Sequence, residues 1–219
     1  MAISLVQTVL GSGITTTTSR SASITTSAGS CLVAKISSGT QTLPTTVTDS
    51  AGNTWTKGTA VSDVGGAGNR YASIYYCLNA AAVTSVTITA ATSIALELVV
   101  EEWSGVGGVR DAASTYNNSN PEALATAVAG DAITGCMAWT GGTTPRVTVN
   151  PQNGDTYTDQ SQFTVSTVYL ASAYVIGVSS GGSRGPRWQN PSASFGVSTL
   201  VLSPAVPPTF SWSIEVLQG

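Results

Sequence analysis

The reactive chemistry open to this chain must come from carboxylates and thiols, because it contains no histidine. That removes Ser-His-Asp and Cys-His nucleophilic catalysis and every His-ligated metal site. The carboxylates gather in "ELVVEEW", where Glu97, Glu101 and Glu102 stand close in sequence. Acid–base work on a glycosidic bond needs two carboxyls about 5–9.5 Å apart. In a strand, Glu101 and Glu102 point to opposite faces, and Glu97 and Glu101 share a face but stand roughly 13 Å apart. Asp155 and Asp159 form a working pair only if the fold brings them together across a loop. Cys31, Cys77 and Cys136 each sit in an apolar stretch with no neighbouring base. Buried thiols acting as small hydrophobes are expected, since an odd count forms no disulfide framework. Reduced thiols fit folding in a cytoplasm. The glycine-rich "DVGGAG" and "SSGGSRGP" carry no P-loop lysine and open no helix, so they read as hairpin loops. No catalytic residue, cofactor or metal is expected.

A second candidate for chemistry is "DSAGNTW", residues 49–55. Calcium needs six to eight oxygens with several carboxylates, and only one carboxylate is near. The turn reading uses every residue. Asp49 accepts from backbone N–H groups ahead of it, Gly52 takes positive φ, Asn53 tolerates it, and Trp55 enters the core as an anchor. A structural turn is the expectation.

These residues must be positioned by strands. The chain has 219 residues, 42% of them hydrophobic and only 9% charged, against roughly 25% charged in a typical soluble domain. Short β-branched or aromatic runs alternate with Gly, Asn, Asp and Ser clusters, the all-β signature. Strands are expected at 2–10, 14–26, 31–37, 44–49, 53–60, 70–78, 84–89, 94–103, 132–139, 145–149, 163–176, 196–203 and 209–217. In 94–103, Leu96, Leu98 and Val100 enter a core, which Glu102 ends. Residues 121–129 read either as one short helix behind Pro121 or as an extended lead into the next strand. So many strands in one chain point to an antiparallel two-sheet sandwich.

The chain also echoes itself. "AGSCLV" (28–33) resembles "AGDAIT" (129–134), "YASIYYC" (71–77) resembles "LASAYVI" (170–176), and "SIALELVV" (93–100) resembles "SFGVSTLVL" (194–202). Two similar strand sets, each apolar on one face, are expected to pack on each other. The join at 106–112, "VGGVRDA", is too short for a flexible linker, which favours one domain over 14–205 rather than two immunoglobulin-sized ones. Residues 1–13 form an N-terminal arm or strand and 206–219 a C-terminal strand or extension.

Four stretches, "SASITTSAGSCLVAKISS", "TVTDSAGNTWTKG", "RYASIYYCLNAAA" and "VTITAATSIALELVVEEWSGV", are similar to a jelly-roll module of phage virion proteins and bacterial surface proteins. In that module a D-S-x-G-N-x-W turn precedes an aromatic strand and an apolar strand ends in E-x-S-G. Here these are Asp49 to Trp55 and Glu102 to Gly105. The resemblance covers about residues 14 to 205. It implies a jelly-roll sandwich and carries over no catalytic residue.

Partners are therefore the remaining question. Net charge is −3 and the Lys and Arg residues are scattered singly, so nucleic acid is not expected. No apolar run approaches the ~20 residues of a membrane helix. The start lacks the basic n-region of a secretory signal, so export by the general route is not expected. Two surfaces could serve a partner. Phe210, Trp212, Ile214 and Val216 line one face of the C-terminal segment, and Ile3 and Leu5 belong to a similar N-terminal strand. Either strand pairs within its own sandwich or adds to a neighbouring chain. Arg70, Tyr157, Arg184, Arg187 and Trp188 are the candidates for a glycan or surface contact, against a core role for Trp188 and solvated arginines. The resulting expectation is a non-catalytic virion protein assembled in host cytoplasm. It would be a capsid decoration or minor capsid protein bound to the major capsid or other virion proteins, as a homo-oligomer or on a lattice. A tail or fibre component, or a carbohydrate-binding module, is the alternative.

Overall fold

The computed structural model describes residues 2–11, 16–39, 46–62, 71–117, 122–139, 146–148, 154–165, 168–189 and 195–206. Every element among them is a strand, and every pairing is antiparallel. The first half holds β1 (Ser4–Leu10), β2 (Thr17–Ser23), β3 (Ser30–Ser38), β4 (Thr46–Asp49), β5 (Thr56–Ser62), β6 (Tyr71–Ala80), β7 (Ser85–Ile94) and β8 (Leu96–Ser104). The second half begins with β9 (Val106–Asn117), β10 (Ala125–Ala127), β11 (Ala132–Trp139) and β12 (Arg146–Thr148). It continues with β13 (Thr158–Val165), β14 (Val168–Ile176), β15 (Gly182–Arg184), β16 (Arg187–Gln189) and β17 (Phe195–Pro204).

Each half is a sandwich. In the first, the five-stranded sheet β1-β8-β3-β6-β5 is covered by β2-β7-β4, with Ala22, Leu32, Ile88 and Leu98 between them. In the second, β13-β14-β11-β17-β9 is covered by two short pairs, β10-β15 and β12-β16, over Met137, Trp139, Trp188 and Phe195. The uncovered faces of the two large sheets then close on each other. Val33, Ile74, Val99 and Trp103 from one meet Cys136, Leu170 and Leu200 from the other. The antiparallel sandwich expected from the sequence is present, but where one sandwich between the two strand sets was expected, each set forms its own and the two stand back to back, giving four layers.

This stacking explains why the central strands read as nearly unbroken apolar runs. All nine residues of β3 and all eight of β11 are buried, because both of their faces meet a neighbouring layer. It also corrects the reading of 94–103. Glu102 does not end the core: Glu97, Glu101 and Glu102 are all buried. Residues 163–176 are not one strand but parts of the β13/β14 hairpin. Of the stretch 121–129, the described residues 122–128 are extended, contributing β10 and a bridge from Glu122 to Arg187. The join at 106–112 lies inside β9, an edge strand of the second sheet. The strand expected at 209–217 lies outside the described residues.

The internal echo is structural. β3 and β11 hold the same central place, and Gly29 and Gly130 before them have φ of 87° and 90°. Gly29 N donates to Ala80 O at the end of β6, at 2.8 Å, and Gly130 N to Val178 O just past β14, at 3.0 Å. With Lys35 matched to Cys136, the ladders match Ile74 to Ser172 and Val99 to Ser198. The first echo is in the expected register; the other two are displaced by one and two residues. The two halves share a fourth echo: "GNTWTKGT" (52–59) matches "GDTYTDQS" (154–161). Gly52 and Gly154 have φ of 74° and 73°. The halves pack with β1 beside β13 and β5 beside β9, so each contributes one edge of the same kind to each side.

Glu97 gives this stack a pH dependence. Burial pushes its carboxyl up to about 7, with Arg20 pulling part of the way back. A folded value above the unfolded one means that the folded state holds the proton more tightly. The contribution is complete below the ordinary carboxylate range and is lost as pH rises through about 7. Between pH 5 and 8 the unfolding free energy is expected to fall by on the order of 1–2 kcal/mol, after discounting for solvent screening. Glu97→Gln should flatten that slope in urea titrations, and no histidine contributes to it. An unchanged slope in the variant would assign it elsewhere.

Candidate functional site

The "DSAGNTW" corner is a structural turn. Asp49 Oδ1 accepts from Ala51 N at 2.9 Å and Asn53 N at 3.2 Å, and Oδ2 accepts from Trp55 Nε1 at 2.8 Å. Burial pushes the Asp49 carboxyl up, but the bonds from Asn53, Trp55 and Ala51 together hold it below its ordinary value. Both carboxylate oxygens therefore face donors, an arrangement suited to closing a loop rather than to gripping a cation. Asn53 exchanges two bonds with Ala81, at 2.9 and 3.2 Å, which ties the corner to the loop after β6. Trp55 packs half-buried on the first outer core. The matched corner has Asp155 in place of Asn53, near Ser179 at 3.5 Å, and Tyr157 in place of Trp55.

The residues expected to offer a glycan platform are mostly interior. Tyr157 and Trp188 lie in the second outer core, and Arg184 is fully buried in an ion pair with Asp155. Arg187 is half-buried, 3.7 Å from Glu122. Asp155 is thus held by Arg184 rather than working with Asp159. Arg70 lies outside the described residues, as do Phe210, Trp212, Ile214 and Val216. Ile3 is buried in the shared core, so its side chain presents no surface to a partner. Leu5 is half-buried and opens onto a groove. The three cysteines are free and buried. Burial pushes the Cys31 and Cys136 thiols up to about 12, which leaves them protonated and unreactive.

The densest chemistry lies where the sequence reading placed only apolar packing. Lys35, in the middle of β3, is wholly buried between the two large sheets. Its Nζ pairs with Glu101 Oε1 and donates to Ser172 Oγ at 2.6 Å and Gln160 Oε1 at 2.9 Å. Ser172 donates in turn to Gln160 Oε1. Glu101 Oε2 accepts from Thr134 Oγ1 at 2.8 Å and Trp103 Nε1 at 2.9 Å. Gln160 Nε2 donates to Thr8 Oγ1 at 2.9 Å. Six elements thus converge on one ammonium–carboxylate–amide cluster. Burial lowers the Lys35 pKa, and Glu101 offsets part of this.

Gln160 and Thr8 also line the groove between edge strands β1 and β13. It has a volume of ≈ 360 Å³ and is completed by Leu5, Leu10, Thr158, Asp159 and Tyr174. Tyr174 stands edge-on to Trp103, with ring centres 5.8 Å apart. The strand register shifts at Leu5/Gln7 in β1 and at Asp159/Ser161 in β13, and such bulges re-aim side chains.

No known protein family matches the chain, nor does any curated protein or solved structure. The comparison that remains is between the two halves, and it is informative. By the ladder register, the counterparts of Thr8, Lys35, Glu101, Thr134, Gln160 and Ser172 are Ala112, Cys136, Leu200, Val33, Gly58 and Ile74. Each polar member has an apolar or glycine counterpart. At the β5/β9 side Leu200 packs against Gly58 so closely that a Cβ there would lie 2.9 Å from its Cδ1. The architecture therefore closes at one side without an ion pair or amide at these places, so the cluster at the other is a feature of this sequence and not a demand of the fold. Lone opposite charges inside apolar strands, "LVAKIS" and "LVVEEW", are the sequence signal by which it could have been found.

Proposed function

We propose that the chain is a non-catalytic structural protein of a phage virion, a capsid decoration or minor capsid protein assembled in host cytoplasm. A tail or fibre placement uses the same surfaces. Four long edge strands carry this reading. β1, β5, β9 and β13 each pair with a strand on one side only among the described residues, and such edges suit addition of a strand from a neighbouring subunit. Val6 and Leu10 on β1 are 54% and 40% exposed, which gives that edge apolar anchors. The low charge content favours shape and backbone pairing over charge. The carbohydrate-binding alternative loses Trp188 and Tyr157 as a stacking platform, since both are interior.

Co-sedimentation with nucleic-acid-free phage shells tests the proposal, with a glycan array alongside. Binding to shells is expected to change little between 50 and 500 mM salt, because few charges are available to screen. Glycan capture without shell binding, or release from shells by modest salt, would falsify it.

A further inference from the structure

We infer that the Lys35–Glu101–Gln160 cluster is the site of a self-catalysed amide cross-link, in which Lys35 Nζ attacks the Gln160 side-chain carbonyl and releases ammonia. Three observations carry it. The nucleophile and the amide are already in contact, with Nζ 2.9 Å from Gln160 Oε1. A carboxylate, Glu101, touches the same Nζ and is placed to take its proton. The hydroxyl of Ser172 donates to the Gln160 carbonyl oxygen, so it polarises the bond under attack and stabilises the charge that develops there. Lys35, Glu101 and Ser172 are buried, so water can approach the cluster only from the groove that Gln160 lines. The fold alone does not call for these groups, since their counterparts across the shared core are Cys136, Leu200, Gly58 and Ile74.

The step balances without a co-reactant. Glu101 accepts a proton from the Lys35 ammonium, which frees the amine lone pair. The new Nζ–Cδ bond forms and the carbonyl becomes tetrahedral, its oxygen held by Ser172. Glu101 passes its proton to Gln160 Nε2 and takes the second proton of the attacking nitrogen, so that the Cδ–Nε2 bond breaks, Nε2 leaves as ammonia and Glu101 ends protonated. The departing nitrogen already points at Thr8, in the wall of the ≈ 360 Å³ groove, which gives ammonia a way out. Burial, which lowers the Lys35 pKa, favours the neutral amine that the step requires. The product joins β3 of the first sandwich to β13 of the second. It would staple the two halves against shear, a property independent of which particle or partner the protein serves.

Mass spectrometry of the intact, folded wild-type chain tests this directly. The expected result is a mass one ammonia below the sequence mass, about 17 Da, with a peptide pair joined through Lys35 and Gln160. Glu101→Gln and Gln160→Ala should both carry the full mass; Gln160 lies on an edge strand, so its truncation leaves the shared core intact. An unreacted wild-type mass overturns the inference. So does loss of one water, about 18 Da, with Lys35 joined to Glu101, or an ammonia loss mapped only to the Asn153-Gly154 step, where asparagine can cyclise. Cross-linking that persists in Glu101→Gln overturns the proton-relay role.

Discussion

Lys35→Met is expected to destabilise the protein by about 3–5 kcal/mol, the largest effect of any single charge removal at the shared core. In the unreacted chain Lys35 and Glu101 are both fully buried, so removing the ammonium leaves a carboxylate in the interior with only neutral donors around it. The loss exceeds the net worth of the pair, because desolvation of the survivor is no longer offset. The double variant Lys35→Met/Glu101→Leu should recover much of it. Its two new residues approximate the opposite side of the same core, where Cys136 and Leu200 stand in the equivalent places. Chains joined through Lys35 and Gln160 lose that link as well, so the double variant should return short of wild type by the contribution of the link. Urea unfolding of the two single variants and the double variant completes the cycle. A Lys35→Met protein as stable as wild type would show that Glu101 is not held as a buried charge.

Asp155→Asn is expected to cost a similar amount, about 3–5 kcal/mol, through a different core. Asp155 pairs with Arg184, which is fully buried and also donates to Ser180 Oγ at 2.5 Å. Asparagine fits the site, because the first half carries Asn53 at the matching corner. It keeps a bond to the loop at Ser179 but leaves the guanidinium without its counter-charge. The reverse exchange, Asn53→Asp, should cost under about 1 kcal/mol, since that corner is open to water and no buried cation depends on it. Paired thermal melts compare the two exchanges. Equal losses would mean that corner geometry, not the buried ion pair, controls stability.

Much of the fold was legible in the residues. Alternation and turn chemistry located β1 to β8, β11 and β17, and the echo between "AGSCLV" and "AGDAIT" matched the two central strands. The bonds of Asp49 in "DSAGNTW" are local, reaching no further than Trp55, whereas the ties of Asn53 to Ala81 join the corner to a loop no local pattern names. Trp188 stayed open between core and surface, and for Arg184 both sequence readings were exposed ones, because nothing local reveals that β15 and β16 form a lid over a second core. β9 was missed because "VGGVR" has the composition of a connection, and only its pairing with β17 makes it a strand.

The sequence by itself determined the class of structure, the duplication and the absence of histidine-based chemistry, because period, turn residues and composition act within a few residues of chain. The tertiary structure alone decided that the two sandwiches share a face and that Lys35, Glu101 and Gln160 meet there. Lys35 and Gln160 lie 125 residues apart, on strands of different sheets. Residues so far apart come into contact only when the layers stack, since no local rule carries information about which face of one sheet will cover which face of another.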